Sequence, residues 1–408
     1  MRTAAHVVAS LVVLLAGAGG SLAAAPAAER EVLELASTME RLHPDLFAST
    51  PRPRFRAEAT ALARQASTLD RPALVVGLMR LVALAGPRNG HTAVYPYDRH
   101  ARPLHVYPLR LYAFPTGLHV VAAPGRADLV GARLTAIEDV PIERITAAVR
   151  PLVPRDNAST VLDLLPEYVV TEEVLAGLGL TDGGTARLTF ADGRSAVLEP
   201  VSASSFASIG SILAPLRRPA ATQPLWLRFP ERDQWLTRLD RGRTLYLGYH
   251  ATTAQTWTVS QRLLRAARRP EVQRVVVDVR LNHGGDNTTY GALLDAMDRL
   301  SRTRSVMLLI GRATFSAAGN FAADVDALPR VRLLGEPTGG APSQWGDSSA
   351  VELPAAGLTA RVATTYQRFG RPGALTTRPH IAVRLTIEDF LAGRDPVLAR
   401  ALQAPRPN

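Results

Sequence analysis

Strand-length and helix-length segments alternate through the second half of this 408-residue chain. Apolar runs of strand length occur at 244–249, 274–280, 305–310 and 331–334, and stretches of helical periodicity lie between them at 259–268, 289–301 and 316–327. Parallel strands need crossover connections of this length, which are usually helices. The pattern therefore predicts an α/β fold with a layered core around a buried, mainly parallel sheet.

Two consecutive strands of this predicted sheet end in small polar turns. The first turn follows Asp278 and contains Gly284 and Gly285, and the second contains Ser316 at the start of a predicted helix. The carboxyl ends of neighbouring parallel strands meet at one edge of a sheet, which is where α/β folds bind ligands. We therefore expect the functional groups at this edge.

Ser316 has two interpretations from its position alone. Serine is a good N-cap, so it can begin a helix for purely structural reasons. It can also be a nucleophile, because free amides and the helix dipole stabilise negative charge at a helix N-terminus. In that case the amides of Gly284, Gly285 and Ala317 could form an oxyanion hole, whereas the alternative for the glycine pair is a tight turn.

Composition excludes several kinds of site. The chain contains neither cysteine nor lysine, so disulfides, thiolate metal sites and lysine bases are excluded. The net charge of +11 comes from arginines spread along the chain and not from a basic block, which argues against a nucleic-acid partner. No His-Glu-x-x-His or similar spacing is present, so the sequence predicts neither a metal nor another cofactor.

The residues before the α/β core divide into four predicted segments. Residues 1–28 have the charged start, short apolar middle and small residues of a signal peptide cleaved near Ala25, which predicts an exported protein, periplasmic or secreted. An uncleaved membrane anchor is the alternative, and it is the one route to membrane association that we predict. Residues 29–95 predict a helical cap, 96–201 a small β-rich domain and 202–242 a connection to the core at 243–402.

A serine nucleophile in a chain without lysine needs a histidine or a carboxylate as its base. Four of the nine histidines remain as candidates, and they are His91, His250, His283 and His380. Only His91 lies in a glycine-containing loop at a domain junction, just after the predicted cap.

Several ordered motifs resemble a known family. Asp278-Val-Arg-Leu-Asn-His-Gly-Gly resembles the Asp-Leu-Arg-x-Asn-Gly-Gly-Gly strand end of the S41 serine peptidases, the family of the tricorn core protease and the C-terminal processing proteases. Thr314-Phe-Ser-Ala-Ala-Gly is similar to its nucleophile segment, and Asn89-Gly-His-Thr to the Asp-Gly-His-Thr loop of tricorn-like members. Residues 131–142 resemble part of a PDZ-like module, without the carboxylate-binding loop of peptide-binding PDZ domains.

The resemblance implies a crotonase-like or ClpP-like α/β core in which Ser316 attacks a peptide carbonyl. His91 would take the serine proton and later give it to the leaving amine. Because the C-terminal processing members use a lysine base, the resemblance implies the tricorn-like branch, which contains a histidine.

The chain departs from the family pattern at three positions. His283 replaces the first glycine of the triplet, Asn89 replaces an aspartate, and His380 stands where the family has an aspartate. The acid of the triad is also open, since no Asp or Glu lies between Leu353 and Glu388. We expect Asp347, in a loop that could bring it to the site.

The alternatives to Asp347 are Glu336, Glu352 or a residue from Glu388 onwards, and Asp347 could also be an ordinary exposed carboxylate. The sequence therefore predicts an exported serine peptidase that acts on a peptide or protein substrate. The alternative is a non-catalytic ligand-binding or peptide-binding protein on the same scaffold. The sequence identifies neither the substrate nor the oligomeric state.

Overall fold

The structure of the chain is a computed structural model that describes residues 26–207 and 223–403. The predicted signal peptide therefore lies, up to Ala25, outside the described residues. Within the described part, no helix combines the length and the apolar character needed to cross a membrane.

The described residues form helices and short strands in alternation. The helices α1 to α12 are Ala27–Leu42, Arg52–Ala66, Arg71–Ala83, Ile142–Val149, Ala158–Val169, Glu172–Gly177, Ala203–Ala207, Gln255–Ala267, Gly291–Ser301, Ala317–Asp326, Ile387–Ala392 and Pro396–Gln403. The strands β1 to β18 are His105–Val106, Arg110–Phe114, Gly117–Ala122, Leu134–Ile137, Val140–Pro141, Ala186–Phe190, Ser195–Leu198, Val201–Ser202, Gln234–Leu239, Thr244–Tyr249, Arg274–Asp278, Ser305–Ile310, Val331–Gly335, Gln344–Gly346, Ser349–Leu353, Leu358–Val362, Thr365–Gln367 and Ile381–Ala382.

A six-stranded sheet forms the centre of the second half, in the order β18-β13-β12-β11-β10-β9. Five strands are parallel, and β9 pairs antiparallel with β10 at one edge. Helices α8, α9 and α10 connect successive parallel strands. The predicted α/β fold with a parallel sheet is thus confirmed, and the predicted strands at 244–249 and 305–310 have the predicted bounds.

Both faces of this sheet are covered, which explains why its strands are apolar runs without alternation. Val275, Val277 and Leu308 belong to a buried cluster with residues of α8, α9 and α10. Val276 and Leu309 point to the other face, where residues of α12 cover them. The carboxyl ends of the strands are therefore the part of the sheet that is left for a site.

The first half of the chain has one continuous hydrophobic core. This core contains side chains of α1 to α3, of the four-stranded sheet β5-β4-β6-β7, of α4 to α6 and of the hairpin β15–β16. Helices α5 and α6 lie within residues 96–201, for which the sequence predicts a β-rich domain, so this region contains more helix than predicted. Asn157 begins α5 with a capping box, accepting hydrogen bonds from the amides of Ser159 and Thr160. The domain boundaries and the PDZ likeness stay predictions.

The hairpin β15–β16 extends from the second half of the chain and docks on the cap. In its turn, the amides of Ala355 and Ala356 donate to the Glu31 carboxylate on α1, at 2.5 and 3.0 Å. At its other end, Ala93 and Arg361 exchange two backbone hydrogen bonds of 3.0 and 2.7 Å. The hairpin therefore holds the loop after α3, which contains His91, against the core.

Candidate active site

Ser316 lies in a strained turn between β12 and α10. Its backbone has φ 52° and ψ −130°, a conformation that residues other than glycine rarely adopt. It occupies the N-cap position, but its side chain makes no capping hydrogen bond. The capping role therefore does not account for this serine, and its hydroxyl is available to another partner.

That partner is His91. Its Nε2 lies 3.0 Å from the Ser316 Oγ, although 225 residues separate the two along the chain. The imidazole stacks on the ring of Phe315, with centroids 4.6 Å apart and planes 26° apart. The structure thus brings together the predicted nucleophile and the predicted base within hydrogen-bond reach.

Burial lowers the pKa of His91 to about 4, because desolvation disfavours the charged imidazolium. The carboxylate of Asp347 and the backbone of Trp345 act in the opposite direction, and the charge of Arg361 adds to the lowering. The Nδ1 atom is buried and makes no hydrogen bond of good geometry within the described residues. A neutral imidazole with its proton on Nδ1 would leave Nε2 free to accept the serine proton.

Asp347 lies near His91 but does not hydrogen-bond to it in the described structure. It follows β14, with a positive φ of 48°, and is exposed. Its two carboxylate oxygens are each 3.4 Å from the Nε2 of Gln367 on β17. In this arrangement Asp347 acts on His91 through charge alone.

The glycine turn lies directly against Ser316, the predicted nucleophile. A Cβ added to Gly284 would lie 2.5 Å from the Ser316 Cβ and 3.0 Å from its Oγ. The Gly284 amide, however, donates to the Asn282 Oδ1 at 2.8 Å, so it is not free as the sequence analysis expected. The amides of Gly285 and Ala317 have no acceptor among the described residues, and they are the remaining candidates for an oxyanion hole.

Two other candidate histidines, His380 and His283, lie next to partners other than Ser316. His380 accepts the Leu333 amide at Nδ1, 2.9 Å away, and its Nε2 lies 3.3 Å from Asp326. His283 faces Asp163 at 3.6 Å, and although partial desolvation of the ring acts to lower its pKa, the nearby carboxylates of Asp163 and Glu167 raise it. His91 alone of the four hydrogen-bonds to Ser316.

Asp156 is a part of this region that the sequence analysis missed. It is fully buried in the loop before α5, and its two oxygens accept the amides of Gly90 and Ala341 at 2.8 and 3.0 Å. Gly90 precedes the base, and Gly340 packs against the backbone of Ser316. Asp156 therefore joins the loops on the two sides of the site. Its partners are amides far away in sequence, so no motif indicates this role.

Asn89, which replaces the family aspartate, is buried and bonded to the cap. Its Oδ1 lies 2.5 Å from the Nε2 of His43, and its Nδ2 donates to the carbonyls of Ala85 and Pro87. Its backbone amide donates to the carbonyl of Arg155. Asn89 therefore shapes the loop that presents His91.

Among the described residues, one group has the composition of a metal site, and it does not include Ser316 or His91. The group consists of His105, Glu172 and Glu173. Glu173 already pairs with Arg71 at 2.6 Å and accepts the His105 amide at 2.8 Å. This carboxylate is thus used in holding β1 to the cap.

No family model matches this chain, and no curated protein matches its sequence. Among solved structures, a mutant of CPAF matches with a TM-score of 0.64 and 10% identity, over 94% of this chain and 99% of that one. The chain has the fold of CPAF. CPAF in complex with lactacystin matches with a TM-score of 0.59 and 12% identity, over 90% of this chain and 95% of that one. The tricorn protease matches with a TM-score of 0.42 and 14% identity, over 92% of this chain and 36% of that one.

At these identities the likeness to CPAF shows the fold and not the activity. It agrees with the predicted layered α/β core and with the family resemblance at the level of the fold. The reaction and its residues have to be argued from the site.

Proposed function

We propose that this chain is a serine peptidase in which Ser316 is the nucleophile and His91 the general base. One observation carries the proposal: Nε2 of His91 lies 3.0 Å from Oγ of a serine in a strained turn that makes no capping bond. A half-buried serine and histidine in contact by chance would not require an energetically costly backbone at the serine.

The reaction follows from the geometry. His91 is neutral above about pH 4, so its Nε2 can take the Oγ proton as Oγ bonds to the peptide carbonyl carbon. The amides of Gly285 and Ala317 would stabilise the resulting oxyanion. When the C–N bond breaks, the imidazolium gives its proton to the leaving amine, and an acyl-enzyme remains on Ser316. Water, activated by the same histidine, then releases the acid product and restores the serine.

We assign Asp347 as the acid that stabilises the imidazolium during these steps. Its charge is what raises the pKa of His91 most strongly against burial. Asp347→Asn should slow acylation of Ser316 by about a hundredfold, the low end of acid–base contributions. Glu352→Gln is the control, because Glu352 was an alternative acid and its Oε2 accepts from Thr359 instead. A greater loss of acylation rate in Glu352→Gln than in Asp347→Asn would overturn the assignment.

We also propose that the chain is exported, to a periplasmic or extracellular location. The pattern of residues 1–28, which lie mostly outside the described part, supports this. Expression of the full chain with N-terminal sequencing tests it, and a mature N-terminus near Pro26 is expected. Retention of Met1 or Arg2 in the mature protein would contradict the proposal.

A fluorophosphonate labels activated serines and tests the reaction directly. We expect labelling of the wild type at Ser316, none in Ser316→Ala and a loss of at least about a thousandfold in His91→Ala. Ser195→Ala is the matched serine control, since Ser195 is exposed on β7, and His250→Ala is the histidine control. A folded wild type that is not labelled would favour the alternative, a binding protein without catalysis.

A further inference from the structure

A cavity of about 290 Å³ lies where the parallel strands of the central sheet end. Its wall contains residues that follow β11, β12, β13 and β18, together with one residue of α12. The apolar members of this wall are Trp226, Leu281, Ile310, Val383, Leu385 and Val397. Protein interiors rarely leave a space of this size between apolar side chains, so the cavity is better explained as a binding site than as a packing defect.

The two arginines of the wall are already neutralised by carboxylates of the protein. Arg280 pairs with Asp278 and Asp395 at 2.6 and 2.7 Å, and its guanidinium lies 5.1 Å from the ring centroid of Trp226. Arg312 pairs with Glu336 at 2.8 Å, and it lies over the ring of Tyr112 at 4.4 Å. Neither arginine is left to bind an acidic ligand, so the cavity suits an uncharged, apolar group.

The wall of the cavity adjoins the candidate active site at His283. The side chain of His283 is 51% exposed, whereas the other residues of the wall are buried or half-buried. It directly precedes Gly284, which lies against the Cβ of Ser316. On the other strand, Ala313 lines the cavity three residues before Ser316. An extended peptide at Ser316 could therefore place one side chain past His283.

We propose that this cavity binds the large apolar side chain of the residue whose carbonyl Ser316 attacks. The cavity would make phenylalanine and leucine the preferred residues at that position. This inference rests on the proposed peptidase function and adds its substrate class. The volume lies just below the roughly 300 to 1,000 Å³ of sites for drug-sized ligands, which fits one side chain and not a larger molecule.

Peptidyl diphenyl phosphonates test the preference, because the serine Oγ bonds to their phosphorus and displaces a phenoxide, and the phosphonate carries a side chain that mimics the attacked residue. Four probes share the sequence Ala-Ala-X, with X the phosphonate analogue of phenylalanine, leucine, alanine or aspartate. The rate of covalent labelling of Ser316 in the full chain is measured by mass spectrometry. We expect the phenylalanine and leucine probes to react at least tenfold faster than the alanine and aspartate probes.

Two substitutions at one wall position connect the preference to the cavity. Val383→Trp fills the cavity, so the phenylalanine and leucine probes should react less than threefold faster than the alanine probe. Val383→Ala enlarges the cavity, so it should favour an Ala-Ala-X probe in which X is the phosphonate analogue of tryptophan. Arg384→Trp is the matched control, because Arg384 is the adjacent residue, is exposed and does not line the cavity. Labelling by a fluorophosphonate without a peptide should stay within threefold of the wild type in all three variants.

The outcomes separate this proposal from the proposed function. Fluorophosphonate labelling of the wild type without a preference among the four peptides would overturn the cavity proposal and leave the peptidase intact. A preference that persists in both Val383 variants would also overturn it. A folded wild type that no probe labels would overturn both proposals. If Val383→Trp fails to fold, Val383→Ala decides between these results.

Discussion

Ser316 adopts a backbone conformation that costs energy, with φ 52° and ψ −130°. Conformations of this kind persist only where the surrounding structure enforces them, and here the surroundings are Gly284 on one side and Gly340 on the other. The turn presents the hydroxyl to His91 and leaves the Ala317 amide free beside it. The position of the Ser316 hydroxyl therefore requires that Gly284 and Gly340 have no side chain.

The substitution Gly284→Ala tests this requirement. The new Cβ would lie 2.5 Å from the Ser316 Cβ, and the φ of 113° is unfavourable for alanine, so the turn must move. A displacement of about 1 Å at a reacting group can cost about a hundredfold in rate. We expect fluorophosphonate labelling to fall by about that factor, with the circular dichroism spectrum unchanged.

The control for this experiment is Gly291→Ala at the start of α9. Nothing lies within 4 Å of a Cβ added there, so labelling should not change. Equal losses of labelling in the two variants would show that the rate does not depend on the close approach of Gly284 to Ser316.

The low pKa of His91 predicts a pH dependence of stability. Burial lowers this pKa to about 4, from an ordinary value of about 6.5 in the unfolded chain. The unfolded chain therefore binds more protons between these values, so the free energy of unfolding falls as the pH falls from about 6.5 to 4. His91→Gln removes this titration, and it should lose less stability than the wild type between pH 7 and pH 4.5 in urea denaturation.

Ser316→Ala is the control for the stability measurement, because it retains the buried imidazole. It should show the same pH dependence as the wild type. If His91→Gln loses as much unfolding free energy as the wild type over this range, His91 does not titrate as its burial implies.

Among the elements, the loop before α5 connects the two halves of the site. Asp156 accepts amides from the histidine loop and from the loop beside Ser316, while Asn157 and Thr160 donate to the carbonyl of Gly339 at 2.9 and 2.5 Å. We infer that Asp156 is a positioning residue. Desolvation raises its pKa to about 7, and only the ionised carboxylate accepts hydrogen bonds without donating one.

This role predicts the effect of Asp156→Asn. The amide of asparagine can accept only one of the two backbone N–H groups, so the loops should separate and labelling of Ser316 should slow by about 10- to 100-fold. In the wild type the labelling rate should fall as the pH drops through about 7, because Asp156 becomes protonated. This decrease should be absent in the variant.

Asp295→Asn, an exposed substitution on α9, is the control and should leave the pH profile unchanged. If the labelling rate of Asp156→Asn is lower at every pH but follows the same pH dependence as the wild type, Asp156 has only a structural role.

A second connection between elements fixes the end of β11 to α12. Arg280 pairs with Asp278 on the strand and with Asp395 just before the helix, and all three side chains are less than 10% exposed. Removing one partner of a buried ion pair costs about 3 to 5 kcal/mol, since the other charge stays buried. Asp395→Ala should reduce the free energy of unfolding by about 3 kcal/mol.

The exposed pair of Arg302 and Asp298 on α9 is the comparison, with side chains 64% and 35% exposed. Arg302→Ala should cost less than about 0.5 kcal/mol in the same denaturation experiment. Similar losses in Asp395→Ala and Arg302→Ala would contradict the argument from burial.

Local patterns predicted the elements of this molecule better than its long-range contacts. The parallel strands were predictable because buried strands are continuous apolar runs. Ser316 was predictable because it follows such a run, and His91 because it lies in a glycine-containing loop. Helix α5 was missed although Val161, Leu165 and Tyr168 are spaced for one buried face. The contacts of Asp156 and of the hairpin β15–β16 could not be predicted, since Asp156 binds a backbone amide and the hairpin turn binds the Glu31 carboxylate, both more than 60 residues away along the chain.

For the whole molecule, the candidate active site lies where the cap and the central sheet meet. The cap supplies His91, the sheet supplies Ser316, and the hairpin β15–β16 runs from the second half back to the cap. Glu31 on α1 is buried in this contact and accepts two amides of the hairpin turn. Ala93 and Thr92, next to the base, bond to the other end of the same hairpin. Docking of the hairpin should therefore control the position of His91.

Glu31→Ala tests this coupling at a distance from the site. Loss of the carboxylate leaves the buried Ala356 amide without its acceptor, which costs about 1 to 3 kcal/mol, and frees the exposed Ala355 amide to water, so the hairpin turn should open more often. Hydrogen exchange should become faster in residues 349–362 and in residues 89–95, and labelling of Ser316 should slow. Glu34→Ala, an exposed change on the same helix, should alter neither. Faster exchange in the hairpin with unchanged labelling would show that His91 is held by Asp156 and its own loop alone.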